Sequence, residues 1–126
     1  MISRYFADFE YKIIGLDFIL GSEVSKRKIN NFLGIIESKL FFEKGILEIL
    51  EVIIIIDGQL IKKKYKYHFQ NQAGGMIFRY DNAPHHQSIT TFPHHKHVQN
   101  SIVESIEPDI LVIISEVKGM LDALIK

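Results

Sequence analysis

With 126 residues, 47% of them hydrophobic and 24% charged, the chain has the make-up of one globular domain over 1–126 and excludes both a disordered segment and two independent cores. Cysteine is absent, which removes disulfides, zinc–thiolate sites and thiol catalysis and fits a reducing cytoplasm. Fifteen basic and fifteen acidic side chains cancel, so this is no generic polyanion binder, although six histidines add positive charge below a pH of about 6.5.

No secretory signal is expected, because Met1 to Phe9 contains Arg4 and Asp8 and lacks an apolar stretch. From Ile2 to Leu20 the residues Phe6, Phe9, Ile13 and Leu16 recur at spacings of three and four, which predicts a helix stopped by Gly21. Ser22 to Asn31 is polar, carries Lys26-Arg27-Lys28, and reads as a connector. From Leu33 the period falls to two, giving a first strand that ends before Lys44-Gly45. Ile46 to Ile56 is β-branched and apolar on both faces, as expected of a central strand covered on both sides. Its eleven residues, interrupted by Glu48 and Glu51, fall far short of the ~20 that span a bilayer, so no membrane partner is expected.

Asp57-Gly58 predicts a two-residue hairpin, Gln59 to Gln70 a third strand and Met76 to Asn82 a fourth, the last two joined through Gly74-Gly75. Beyond Asn82, Pro84 and Pro93 punctuate an irregular histidine-rich loop. A last helix begins near Pro108, with an apolar stripe of Ile110, Ile113, Ile114, Val117, Leu121 and Leu124 that can close over the sheet. The expected fold is α+β: an N-terminal helix, a four-stranded antiparallel meander, a histidine-rich loop, and a C-terminal helix packed on the sheet.

Pairing the third and fourth strands so that Phe69 lies opposite Phe78 and Tyr67 opposite Tyr80 builds an aromatic ladder on one face. The same register sets His68 opposite Arg79 and Lys66 opposite Asp81 on the other face, in line with Lys62 and Lys64. A row of lysines on a strand is otherwise a solvated face that discourages aggregation, and Arg79 with Asp81 is otherwise a cross-strand ion pair.

Five of the six histidines fall in the thirteen positions from His85 to His97: His85, His86, His94, His95 and His97. Three chemistries suit such a cluster. Metal-free RNA cleavage needs one imidazole as base, a second as acid, and a guanidinium or ammonium on the phosphate, so Arg79, Asp81 and these five histidines form the candidate catalytic set. A divalent metal held by imidazoles with Asp81 as oxygen ligand is the second, at spacings that do not single out zinc; His95 and His97, two apart, share a direction if the chain is extended there. The third is phosphate or RNA binding without turnover, for which Lys62, Lys64, Lys66, His68 and Lys96 are the candidates.

Three stretches, Tyr65-Lys66-Tyr67-His68-Phe69-Gln70, Phe78-Arg79-Tyr80-Asp81-Asn82-Ala83-Pro84-His85-His86 and Thr91-Phe92-Pro93-His94-His95-Lys96-His97, resemble the signature of TumE-type toxins of prokaryotic toxin–antitoxin pairs. The resemblance runs from about Gly34 to the C-terminus; Met1 to Asn31 carries no motif. It implies a small cytoplasmic toxin with RNA as target, encoded beside a helix-turn-helix antitoxin that silences it, and it allows a homodimer. The expected activity is a metal-independent endoribonuclease with no cofactor. In that reading Arg79 and Lys96 neutralise phosphate, two of the five histidines act as base and acid, and Asp81 orients one of them. The alternative is a non-catalytic metal- or partner-binding domain whose histidines are structural. A phosphoryl-transferring toxin ranks below both, because no Gly-rich phosphate loop is present.

Overall fold

A period of two governs most of this chain, and its product is one sheet of seven antiparallel strands in sequence order. The computed structural model describes residues 1–125, with the backbone alone for Leu124 and Ile125, so the Leu124 position of the expected stripe lies outside the described side chains. The elements are α1 (Ile2–Ile13), β1 (Gly21–Asn30), β2 (Leu33–Phe42), β3 (Gly45–Ile56), β4 (Gln59–Asn71), β5 (Met76–Asp81), β6 (His95–Val98), β7 (Ser101–Glu104) and α2 (Ile110–Ile125). The α+β class and the helices packed on an antiparallel sheet agree with the expectation. The strand count does not: the sheet has seven strands, not four.

Each difference has a local cause. Helix α1 stops at Ile13 rather than Leu20, because Gly15 adopts φ +86°, the left-handed turn that ends helices and that glycine takes without a steric penalty. The segment read as a polar connector is β1, an edge strand with one neighbour and little burial, so it shows no apolar alternation. Its Lys26-Arg27-Lys28 run guards that edge. Strands β6 and β7 are four residues each, too short to display a period, and Pro84 and Pro93 precede them without touching the ladder. The Asp57-Gly58 hairpin forms as expected, with both residues at positive φ.

Both helices lie on one face of the sheet. Ile2, Phe6, Phe9 and Ile13 of α1 and Ile110, Ile113, Ile114, Val117 and Leu121 of α2 bury against Leu40, Leu47, Ile49, Ile53, Tyr67, Phe69 and Phe78. Gly34 permits the approach of α1: a Cβ there would meet Ile2 Cγ2 at 2.6 Å. Buried Glu51 of β3 accepts hydrogen bonds from Tyr5 of α1 and Tyr67 of β4, and Lys62 completes the cluster by bonding Tyr67 Oη at 2.5 Å and the Pro108 carbonyl at 2.8 Å, which ties the start of α2 to the sheet. Burial and the Glu51 carboxylate push the Tyr67 phenol far above its ordinary value, so it stays a donor.

Among the described residues the opposite face carries no helix. Ile46, Leu50, Val52 and Ile54 of β3 are therefore half-buried on an open surface, not sandwiched as their composition predicts. The β4–β5 register is the expected one, with Phe69 against Phe78, Tyr67 against Tyr80, His68 against Arg79 and Lys66 against Asp81. One lysine departs from its expected face. A bulge at Lys63, where Val52 pairs with Lys64 but Ile53 with Lys62, turns Lys62 inward to Glu51 and out of line with Lys64 and Lys66.

Candidate active site

The open face gathers its chemistry where β5 meets β6. Arg79 pairs with His97 and Asp81 with His95 across the ladder, so residues two apart on each strand stand side by side. Between these strands, 82–94 leaves β5 and returns to begin β6. Asn82 fixes the departure by accepting from the Tyr65 amide at 3.0 Å and donating to the Lys63 carbonyl at 3.1 Å. Thr91 fixes the return, with its hydroxyl donating to the His94 carbonyl at 2.7 Å and accepting from the Ser105 amide at 3.0 Å. The loop thereby folds His86 back over the sheet, with its ring centroid 4.9 Å from that of His95 and 5.6 Å from that of His97.

Asp81 organises this cluster. Its Oδ1 lies 2.9 Å from His95 Nε2 and accepts from the Ala83 amide at 3.0 Å; its Oδ2 accepts from Arg79 Nε at 3.1 Å and lies 3.3 Å from His97 Nε2. His95 is 2% exposed and donates Nδ1–H to the Pro93 carbonyl at 2.9 Å, a group that can only accept. Its Nε2 faces the carboxylate and, at 3.1 Å, His97 Nε2. Arg79 Nη2 stands 3.3 Å from that same His97 nitrogen. Burial, then the Arg79 guanidinium, hold the His97 imidazole below its ordinary value, although Asp81 pulls the other way. Arg79 Nη2 can only donate, so an unprotonated Nε2 of His97 meets it as the acceptor.

The cluster opens into a cleft of about 320 Å³ lined by Arg79, Asp81, His85, His86, His95 and His97, with Lys64 and Lys66 along one wall. A neighbouring depression of about 470 Å³ shares Leu50 and Lys66 with it, but its other charged residues are Glu23, Glu37, Glu48 and Lys39. Three carboxylates against two lysines make that second depression a poor seat for a polyanion.

Of the residues singled out in the sequence, Arg79, Asp81, His86, His95 and His97 come together, and His85 lies exposed at the rim of the cleft. Lys64, Lys66 and His68 share the open face. Burial, with Arg79 and Lys66 nearby, holds His68 below its ordinary value against the pull of Glu48. Three residues lie on the covered face instead. His94 stacks on Tyr65, with Nδ1 3.0 Å from its hydroxyl. Lys96 ion-pairs with Glu116 of α2 at 2.7 Å and sits over the Tyr80 ring, because the alternation that puts His95 and His97 on one face puts Lys96 on the other. Lys62 is held by the Glu51 cluster. The sequence reading missed Asn82 and Thr91 as anchors of the loop; an Asn at the end of a strand, whose amide can imitate a ladder partner, was the available signal.

Among the described residues no helix is long and apolar enough to cross a membrane. Comparison with curated proteins and with solved structures gives no match. The family model described as Toxin TumE matches residues 12–122, a stretch that takes in the whole sheet, the histidine loop and most of α2. On that match, the chain belongs to the TumE family of toxins.

Proposed function

We propose that this toxin cleaves RNA without a metal ion, at the cleft between β5 and β6. The observation that carries the reading is the convergence of His86, His95 and His97, whose ligand nitrogens all lie within 4.8 Å of one another, beside Arg79 and Asp81 in a solvent-open cleft. His97 Nε2 takes the proton of a 2′-hydroxyl, and that oxygen attacks the adjacent phosphorus. Arg79 neutralises the charge that grows on the non-bridging oxygens. His86, on the loop, gives a proton to the departing 5′-oxygen, with His85 at the rim as the other imidazole within the cleft. The products are a 2′,3′-cyclic phosphate and a 5′-hydroxyl. Asp81 and His95 position His97 and Arg79 without touching substrate, and Lys64, Lys66 and His68 hold the flanking strand. His94, Lys62 and Lys96, engaged on the covered face, support the fold.

Toxin membership implies an antitoxin partner. A helix-turn-helix antitoxin and a cytoplasmic site of action complete the proposal. The test is incubation of purified protein with RNA in excess chelator. Cleavage is expected to persist there, to fall about 10²–10⁴-fold in His97→Ala, the usual worth of one general acid or base, and to survive in His94→Ala below its melting temperature. RNA left intact by the wild-type protein overturns the proposal.

A further inference from the structure

We propose that His86, His95 and His97, closed by Asp81, also form a binding site for one divalent transition-metal ion of the zinc class, and that filling it switches the cleft off. The effect on cleavage rests on the function proposed above; the binding does not.

A tetrahedral zinc site with bonds of about 2.0–2.1 Å has ligand atoms roughly 3.3 Å apart. Three of the separations here are 3.1 Å between His95 Nε2 and His97 Nε2, 2.9 Å between His95 Nε2 and Asp81 Oδ1, and 3.3 Å between His97 Nε2 and Asp81 Oδ2. His86 brings a ligand nitrogen within 4.8 Å of those of His95 and His97, from a loop that can close the rest. Three imidazoles and one carboxylate favour zinc, copper or nickel over magnesium or calcium, which take oxygen ligands. The supporting contact of such a site is also present. His95 spends Nδ1–H on the Pro93 carbonyl, which aims Nε2 at the cluster. That nitrogen lies 2.9 Å from Asp81 Oδ1, so imidazole and carboxylate already converge on one point.

Four protein donors leave no open coordination position, which marks a closed site and not a catalytic one. A metal ion here occupies His97 Nε2, the atom assigned to the 2′-hydroxyl proton. Arg79 opposes binding, since its guanidinium lies 3.3 Å from His97 Nε2 and 3.1 Å from Asp81 Oδ2. Its side chain is 36% exposed and has the cleft to swing into.

The experiment is titration of the full, untagged chain with cobalt(II), followed by its tetrahedral visible spectrum and by competition with zinc. One ion per chain is expected, with affinity lowered at least about tenfold in His86→Ala and in His97→Ala and unchanged in His94→Ala. His86 lies on a loop, so His86→Ala is expected to keep the wild-type melting profile and to report on ligation even where His97→Ala unfolds. Stoichiometric zinc is expected to abolish RNA cleavage and chelator to restore it. Absence of one-to-one binding, an octahedral spectrum, or unchanged affinity in a folded His86→Ala overturns the site, whether or not RNA is cut. Cleavage accelerated by zinc overturns the switch. Tight binding by a protein that never cuts RNA upholds the site and overturns the ribonuclease reading instead.

Discussion

Replacing Asp81 tests how the site is held together. Asp81 is 7% exposed and its carboxylate faces four partners: His95 at 2.9 Å, the Ala83 amide at 3.0 Å, Arg79 at 3.1 Å and His97 at 3.3 Å. The Arg79 pair is partly solvated and contributes little. His95 is different, because at 2% exposure it cannot turn to water when its partner is lost. Each buried group left without its hydrogen-bond partner costs about 1–3 kcal/mol, and His95 and the Ala83 amide both lose theirs, so Asp81→Ala is expected to destabilise by about 4 kcal/mol. Asp81→Asn keeps the shape and the Ala83 bond on Oδ1 but turns its N–H group toward Arg79 and His97 in place of Oδ2, and is expected to cost about 2 kcal/mol, near one charge-assisted hydrogen bond. With an unfolding entropy of about 2.1 cal/mol/K per residue over a chain of this length, these become Tm losses of about 15 °C and 8 °C. Differential scanning calorimetry at pH 7 reads both. A loss under about 3 °C for Asp81→Ala would refute the claim that this carboxylate organises the cluster.

The Glu51 cluster gives a second expectation. Glu51→Ala leaves Tyr5, Tyr67 and Lys62 without their shared partner and is expected to cost about 3–5 kcal/mol in urea unfolding; equal stability of Glu51→Ala and wild type would contradict this. The third concerns pH. Because the folded state holds the His68 imidazole below its ordinary value, His68 is neutral in both states above about pH 6.5 and contributes nothing there. Below that pH the unfolded chain takes up the proton first, so stability falls until the folded group also titrates. The urea midpoint of wild type is therefore expected to drop more between about pH 7.5 and 5.5 than that of His68→Gln, and parallel curves would remove the assignment.

The β4–β5 hairpin was legible because each of its residues chooses a side: aromatic pairs on one face and His68, Arg79, Lys66 and Asp81 on the other define a single register. The β6 histidines were half legible. A spacing of two aligns His95 with His97 once the chain is extended, but nothing local says that four residues form a strand, since the partner that makes them one is β5, with Arg79 against His97. Lys62 and Lys96 were misplaced for the same reason. A side chain's face depends on a bulge at Lys63 in one case and on the unseen strand in the other, and both are decided by pairing rather than by composition. Edge strand β1 escaped notice because hydrogen bonds to β2, not burial, hold it. The apolar outer face of β3 pointed to a covering layer that the described residues do not supply.

The central claim is that His97, Arg79 and His86 perform transesterification at a 2′-hydroxyl. End-group analysis of RNA treated with wild-type toxin in chelator, alongside the same RNA carrying single 2′-deoxy substitutions, tests it most directly. Cyclic 2′,3′-phosphate and 5′-hydroxyl ends, with no cutting after a deoxynucleotide, are the expected result. Products bearing 3′-hydroxyl and 5′-phosphate, or cleavage indifferent to the 2′ position, would contradict it.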